Sequence, residues 1–159
     1  MSDTRRPDVV PSWLPPSHVI VALTLGAILF AITLGKGVRD PDYFWHVVAG
    51  EYIVSTGAVP TADPFSFTWA GQPWTPHEWL SEVLIFGLVS ALREVGALAA
   101  FSLIPGATIL LLALLLARMG VRTWAQAPAL VLAALVMSPY TTLRPQALSW
   151  LLLAVTVAL

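Results

Sequence analysis

Residues 97–117 read ALAAFSLIPGATILLLALLLA, twenty-one positions without a charge. As a helix they rise about 31 Å, roughly the thickness of a bilayer's hydrocarbon core. The rest of the chain has the same character. Apolar residues make up 57% of the 159 positions and charged residues 11%, against roughly 25% charged in soluble domains. A soluble globule of this size leaves too much surface in water to hide that apolar content. The expectation is an all-α, polytopic membrane protein.

Three more apolar stretches flank this one. Residues 18–35 form the first, preceded by Arg5 and Arg6; no small-residue cleavage site follows, so it reads as an uncleaved span rather than a signal peptide. Residues 124–140 carry Pro128 but no charge, and 146–159 run apolar to Leu159. Fourteen helical residues rise only about 21 Å, and Leu159 has no helix-stop residue beside it. The sequence therefore reads as the front part of a longer protein. Pro7, Pro11, Pro15 and Pro16 keep residues 1–17 from being helical, leaving an N-terminal tail and one membrane domain, 18–159. Residues 79–92, apolar but interrupted by Ser81 and Glu82, suit an interfacial helix better than a span. About four spans result (18–35, 97–117, 124–140 and 146–159), with a loop over 38–96 that carries two short surface helices. Basic residues divide evenly: Arg5, Arg6, Arg118 and Arg122 against Lys36, Arg39, Arg93 and Arg144. Only the N-terminal Arg pair favours a cytoplasmic amino terminus and an external loop.

Bulk electrostatics and cysteine content remove other classes. A net charge of −1 gives no pull toward nucleic acid, and with no cysteine there are neither disulfides nor thiolate metal ligands. Six of the nine acidic residues (Asp40, Asp42, Glu51, Asp63, Glu78 and Glu82) lie in or beside the polar stretch 38–78, where ionisable groups close to a membrane become functional candidates.

Each candidate has a structural alternative. Asp40-Pro41 reads as a helix start, with Asp accepting an early backbone N–H and Pro in the first turn. Asp42 is then either a first-turn carboxylate compensating the helix dipole or a free acid. On a helix over 41–56, Asp42, His46 and Gly50 recur at four-residue spacing and share one face, so Asp42 and His46 can share a proton or a divalent cation while Gly50 leaves room. Glu51 points the other way. Thr75-Pro76-His77-Glu78 has the form of a capping box, which accounts for Glu78 but leaves His77 either solvated or functional. Phe65, Phe67 and Trp69 alternate before Gly71, as a short ribbon with an aromatic face would. That face is an interfacial anchor or, as the sharper alternative, a sugar- or lipid-binding wall. Arg144, in the short loop before Pro145, returns to the side of residues 38–78. Its guanidinium can snorkel to headgroups or hold a phosphate bidentately.

In this order the residues resemble the front end of the GT-C class of integral-membrane glycosyltransferases, the superfamily of protein O-mannosyltransferases and aminoarabinose transferases. The resemblance is carried by Asp40-Pro41-Asp42-Tyr43-Phe44-Trp45-His46, Gly57, Asp63-Pro64-Phe65-Ser66-Phe67, Gly71-Gln72-Pro73-Trp74 and His77-Glu78-Trp79-Leu80. Arg144-Pro145-Gln146 looks like a feature of bacterial members. The resemblance implies transfer of a sugar from a polyprenyl-phosphate carrier at the outer face of the bacterial cytoplasmic membrane. It also implies a catalytic acid, base or metal ligand at the start of the first surface helix. Asp42, fifteen residues before Gly57, fits that position better than Asp40. The expected site is therefore Asp42 as catalytic residue, with His77, Arg144 and His46 binding substrate or phosphate and Asp42 with Asp40 holding a divalent ion (Mg or Mn). Expected partners are membrane lipids, the polyprenyl-phosphate sugar and other membrane subunits. A non-catalytic membrane subunit, docking a partner or lipid through the aromatic loop, is the alternative. A transporter ranks third because 97–117 and 124–140 hold no ionisable residue.

Overall fold

The computed structural model describes residues 15–159, so most of the expected tail, including Arg5 and Arg6, lies outside the described residues. Among those described, regular structure is helical: α1 (Ser17–Lys36), α2 (Asp42–Thr56), α3 (Trp79–Phe101), α4 (Leu103–Arg118), α5 (Thr123–Met137) continued by a 3₁₀ turn (Ser138–Tyr140), and α6 (Pro145–Ala158). Two stretches are long and apolar enough to cross a membrane. They are Ser17–Lys36 and the 40 residues Trp79–Arg118 that α3 and α4 share.

The helix limits follow from local chemistry. The chain leaves α1 through Gly37 at φ 65°. It enters α2 where Asp40 Oδ1 accepts the Asp42 N–H at 3.0 Å, and leaves through Gly57 in the left-handed region. The long α3 is broken at Arg93, whose φ of 60° and ψ of 177° are not helical. That backbone region is strained for any side chain. The break falls where the apolar stretch 79–92 ends, so this segment and the one entering α4 are separate helices sharing one boundary residue.

Two local expectations are overturned. The capping box at Thr75–Glu78 does not form: α3 begins at Trp79 with no side-chain cap, because the Glu78 carboxylate is turned toward His46, 3.9 Å away. The aromatic ribbon reduces to one antiparallel bridge, Ala62 with Pro73. Asp63 Oδ1 accepts the N–H groups of Phe65 and Ser66 at 2.8 and 3.0 Å and winds the intervening chain into turns. Phe65 consequently packs inward while Phe67 and Trp69 stay exposed, so the three form no common face. Phe65 and Trp74 meet Trp45 edge-on, with centroids 5.1 and 5.6 Å from it, and Phe65 also meets Tyr52 at 5.6 Å. These contacts fasten the loop to α2.

Helices α1, α4, α5 and α6 form a bundle. Helix α1 crosses α4 where Gly26 meets Gly106: a Cβ built on Gly26 would lie 3.2 Å from the Gly106 Cα. Small residues of this kind let helix backbones approach. The Ser17 and Thr123 hydroxyls pair at 2.9 Å at one end of the bundle, and Lys36 Nζ donates to the Ser138 carbonyl at 2.6 Å at the other. Helices α1 and α5 therefore run side by side in the same direction. Ala22, Leu29, Ile109, Ala113, Leu130, Ala134 and Met137 fill the space between α1, α4 and α5. Outward, Leu132, Leu135, Val136, Leu152, Leu153 and Val157 remain exposed, a surface whose natural cover is apolar.

Helix α2 lies against α3 at the end of the bundle marked by Lys36 and Ser138. Tyr43 joins Ile85, Leu98, Phe101, Leu143 and Ala147 in a second apolar cluster. Gly50 does not leave room for a ligand, as its spacing with Asp42 and His46 implied. The α3 backbone fills that room: a Cβ there would fall 2.2 Å from the Glu82 carbonyl oxygen and 2.7 Å from the Phe86 Cβ. Gly50→Ala should therefore separate α2 from α3 and cost about 1–3 kcal/mol, the usual range for overpacking. Gly87→Ala has nothing within 4 Å and should be neutral or stabilising by up to about 1 kcal/mol. Thermal unfolding of the two variants in detergent measures the contrast.

Candidate functional site

The loop between α1 and α2 carries Asp40, which is buried at 9% exposure. A buried carboxylate requires donors, and the loop before α6 supplies them. Arg144 donates through Nε to Asp40 Oδ2 and through Nη2 to Asp40 Oδ1 at 2.6 Å. Thr142 adds its hydroxyl to Oδ2 at 2.9 Å. Asp40 thus both starts α2, as its position before Pro41 implies, and forms a two-pronged ion pair with a residue 104 positions away. The Arg144 bond, with help from Thr142 and the Asp42 N–H and against the cost of burial, lowers the Asp40 pKa to about 2. The same contact raises that of Arg144.

Nη2 of Arg144 also donates to Asp42 Oδ2 at 3.0 Å. The Asp42 side chain is 58% exposed, so it keeps open access to solvent and solutes. Asp40 and Asp42 do not offer a divalent ion the site expected of them: the guanidinium bridges the two carboxylates and supplies the neutralising positive charge. Beside it lies a recess of about 490 Å³ lined by Lys36, Arg39, Asp40, Pro41, Tyr140 and Arg144, among others. Three cationic side chains face one acidic one there, so the recess attracts anions.

His46 lies one turn beyond Asp42 and has different partners. Its Nδ1 is 3.5 Å from Glu82 Oε1 and 3.9 Å from Glu78 Oε2. The three residues have the composition and spacing of a group that could hold a metal ion. Glu78 and Glu82 border a recess of about 180 Å³ lined also by Trp45, Trp74, Pro76 and His77, and the buried His46 lies behind them. His77 is exposed there. The structure therefore brings Arg144 to Asp42 as the sequence implied, sets His77 in another recess and buries His46 against Glu82. Asp63 serves the loop: bonds from Ser66 and Phe65 hold its carboxyl below the usual carboxylate range.

Reading from sequence missed four contributors. In the sequence Lys36 and Arg39 stand out only as topology markers, and Glu78 and Glu82 read as a cap residue and as an interruption of an apolar stretch. Their four-residue spacing matches that of His46 and Gly50, and this shared period was the available signal that one face of α3 meets one face of α2. No family model, no curated protein and no solved structure matches this chain.

The ion pair sets a pH dependence. The Asp40 pKa is lower in the folded than in the unfolded chain, so its stabilising contribution is full above the ordinary value of 3.8 and is lost as pH falls toward about 2. Arg144→Ala, which leaves Asp40 buried without its cation, should cost on the order of 3 kcal/mol at neutral pH and flatten that acid limb. Asp42→Asn, at an exposed position, should cost less than about 1 kcal/mol. Unfolding measured between pH 2 and 7 reads all three effects.

Proposed function

We propose that this chain belongs to a membrane-embedded glycosyltransferase of the GT-C kind, taking a sugar from a polyprenyl-phosphate donor at the outer face of the bacterial cytoplasmic membrane. The observation that carries the reading is the recess lined by Lys36, Arg39 and Arg144, with the exposed Asp42 carboxylate bonded to the Arg144 of its wall. Helices α1, α4, α5 and α6 serve as the four spans, and their exposed leucine and valine side chains face lipid. A donor with its polyprenyl chain in the bilayer then presents its phosphate at the polar end of the bundle.

The chemistry follows from the charges. The Asp42 carboxylate accepts the proton of an acceptor hydroxyl, which is too weak a nucleophile without a base. The hydroxyl oxygen bonds to the anomeric carbon as that carbon's bond to the phosphate oxygen breaks. The phosphate leaves with its added negative charge facing Arg144, Arg39 and Lys36. Partial neutralisation of Arg144 by Asp40 holds the guanidinium in place while leaving the recess net cationic. Other membrane subunits and lipids remain expected partners.

A second reading has its own observation. Phe67 and Trp69 are fully and largely exposed at the loop tip, as a non-catalytic subunit that docks a partner or lipid through them would require.

In the native protein that carries this sequence, Asp42→Asn should abolish sugar transfer from a polyprenyl-phosphate sugar with unchanged unfolding temperature; full activity in that variant sinks the assignment. Arg39→Gln should raise KM for the donor more than it lowers kcat. Single cysteines introduced at Glu94 and at Asp63 should react with an impermeant thiol reagent from the same side. Labelling from opposite sides would mean that residues 79–92 cross the membrane.

A further inference from the structure

The group around His46 has a feature that the proposed sugar transfer does not use. Glu82 is 3% exposed and His46 6%, yet His46 Nδ1 and Glu82 Oε2 have no hydrogen-bond partner. Two buried, unsatisfied polar atoms on neighbouring helices are costly. They are held together because Gly50, one turn after His46, lets the backbone of α3 approach to van der Waals contact at Glu82 itself. The helix–helix contact that positions the pair is therefore rigid, and it presents a ring nitrogen and a carboxylate toward one point. Glu78, one turn before Glu82 and 43% exposed, closes the group from the solvent side.

We propose that His46, Glu78 and Glu82 bind a divalent first-row transition ion of the Zn²⁺ type. One ligand atom from each residue lies within 4.8 Å of the other two. With metal–ligand bonds of about 2.0–2.2 Å, tetrahedral ligands sit roughly 3.3–3.5 Å apart. The 3.5 Å between His46 Nδ1 and Glu82 Oε1 meets that spacing. The remaining pairs reach it by rotation of the half-exposed Glu78 side chain. An imidazole among the ligands favours Zn²⁺ and its neighbours over Mg²⁺ and Ca²⁺, which prefer all-oxygen sites. Two carboxylates and an imidazole bring two negative charges, which neutralise the divalent ion. Three protein ligands leave the fourth position open. Glu78 and Glu82 line the recess of about 180 Å³ with Trp45, Trp74, Pro76 and His77, and a water or a ligand oxygen entering from there would complete the shell. The ion joins α2 to α3 and satisfies the orphaned His46 Nδ1.

The test uses the full chain purified in detergent, stripped with EDTA and titrated with Co²⁺, with Zn²⁺ as competitor and elemental analysis for stoichiometry. One ion per chain is expected, with visible Co²⁺ d–d bands that Zn²⁺ displaces and millimolar Mg²⁺ does not. Glu82→Gln and His46→Gln should each weaken binding at least about tenfold, while Asp42→Asn, whose carboxylate bonds Arg144 instead, should change it far less. Absence of Co²⁺ binding in the parent protein overturns the proposal and makes the group a proton-sharing cluster. Unchanged affinity in Glu82→Gln overturns it equally. Should Glu82→Gln lose its helical circular dichroism, Glu78→Gln decides: its side chain is not buried, so weakened binding supports the site and unchanged binding overturns it. None of these readouts involves sugar transfer, so they stand whatever the outcome for Asp42.

Discussion

A single guanidinium ties the two halves of the structure together. Arg144 opens α6, Asp40 follows α1, and their two-pronged bond joins segments 104 residues apart. Asp40 cannot be buried as an anion without it, and α2 cannot start where it does without Asp40, whose carboxylate receives the Asp42 N–H. The placement of α2, the recess beside it and the position of Asp42 all descend from this pair. Lys36 reinforces it from the end of α1 by bonding the Ser138 carbonyl, so that α1, the 3₁₀ turn and α6 converge on one end of the bundle.

Glycine provides the complementary constraint. Between apolar helices in lipid there is little hydrophobic force, and close packing contributes most of the attraction. Gly26 and Gly106 bring α1 and α4 into backbone contact, and Gly50 does the same for α2 and α3. The first contact builds the bundle; the second places one turn of α2 against one turn of α3 with side chains on both. Asp42 is held by charge from α6, and His46 by proximity to α3. Two residues that share a helix face in sequence therefore acquire separate surroundings.

Much of this was legible in residue patterns, and the remainder fails for identifiable reasons. The apolar stretches 18–35, 97–117, 124–140 and 146–159 became α1, α4 with the end of α3, α5 with its 3₁₀ turn, and α6, within a few residues. Length and composition specify such helices without reference to partners. The end of the 79–92 segment coincides with the Arg93 break. The Asp40-Pro41 start held because a cap is a local contact. The Thr75–Glu78 cap failed because a tertiary partner, His46, draws the Glu78 side chain away. The aromatic ribbon failed because Asp63 takes two backbone N–H groups that a longer ladder would have needed. Arg144 was legible as a cation on the same side as Asp42. Its preference for Asp40 was not, since burial of Asp40 depends on how α2 and α6 pack.

The charge of the two recesses follows from where each lies along α2. At the start of the helix, the backbone N–H groups and the side chains of Lys36, Arg39 and Arg144 make an electropositive wall, and Asp40 and Asp42 only partly offset it. One turn further on, His46 of α2 meets Glu82 in the first turn of α3 and Glu78 just before it, and the two carboxylates make the second recess electronegative. A rise of about 6 Å per four residues separates the two. That is too little for either field to vanish, because charges about 6 Å apart lie within a Debye length at physiological ionic strength. An anion is drawn to the first recess and repelled by the second; a cation meets the reverse. Helix α2 thereby sorts ligands by sign, and Asp42, bonded to Arg144 at the cationic end, keeps its carboxylate open to solvent.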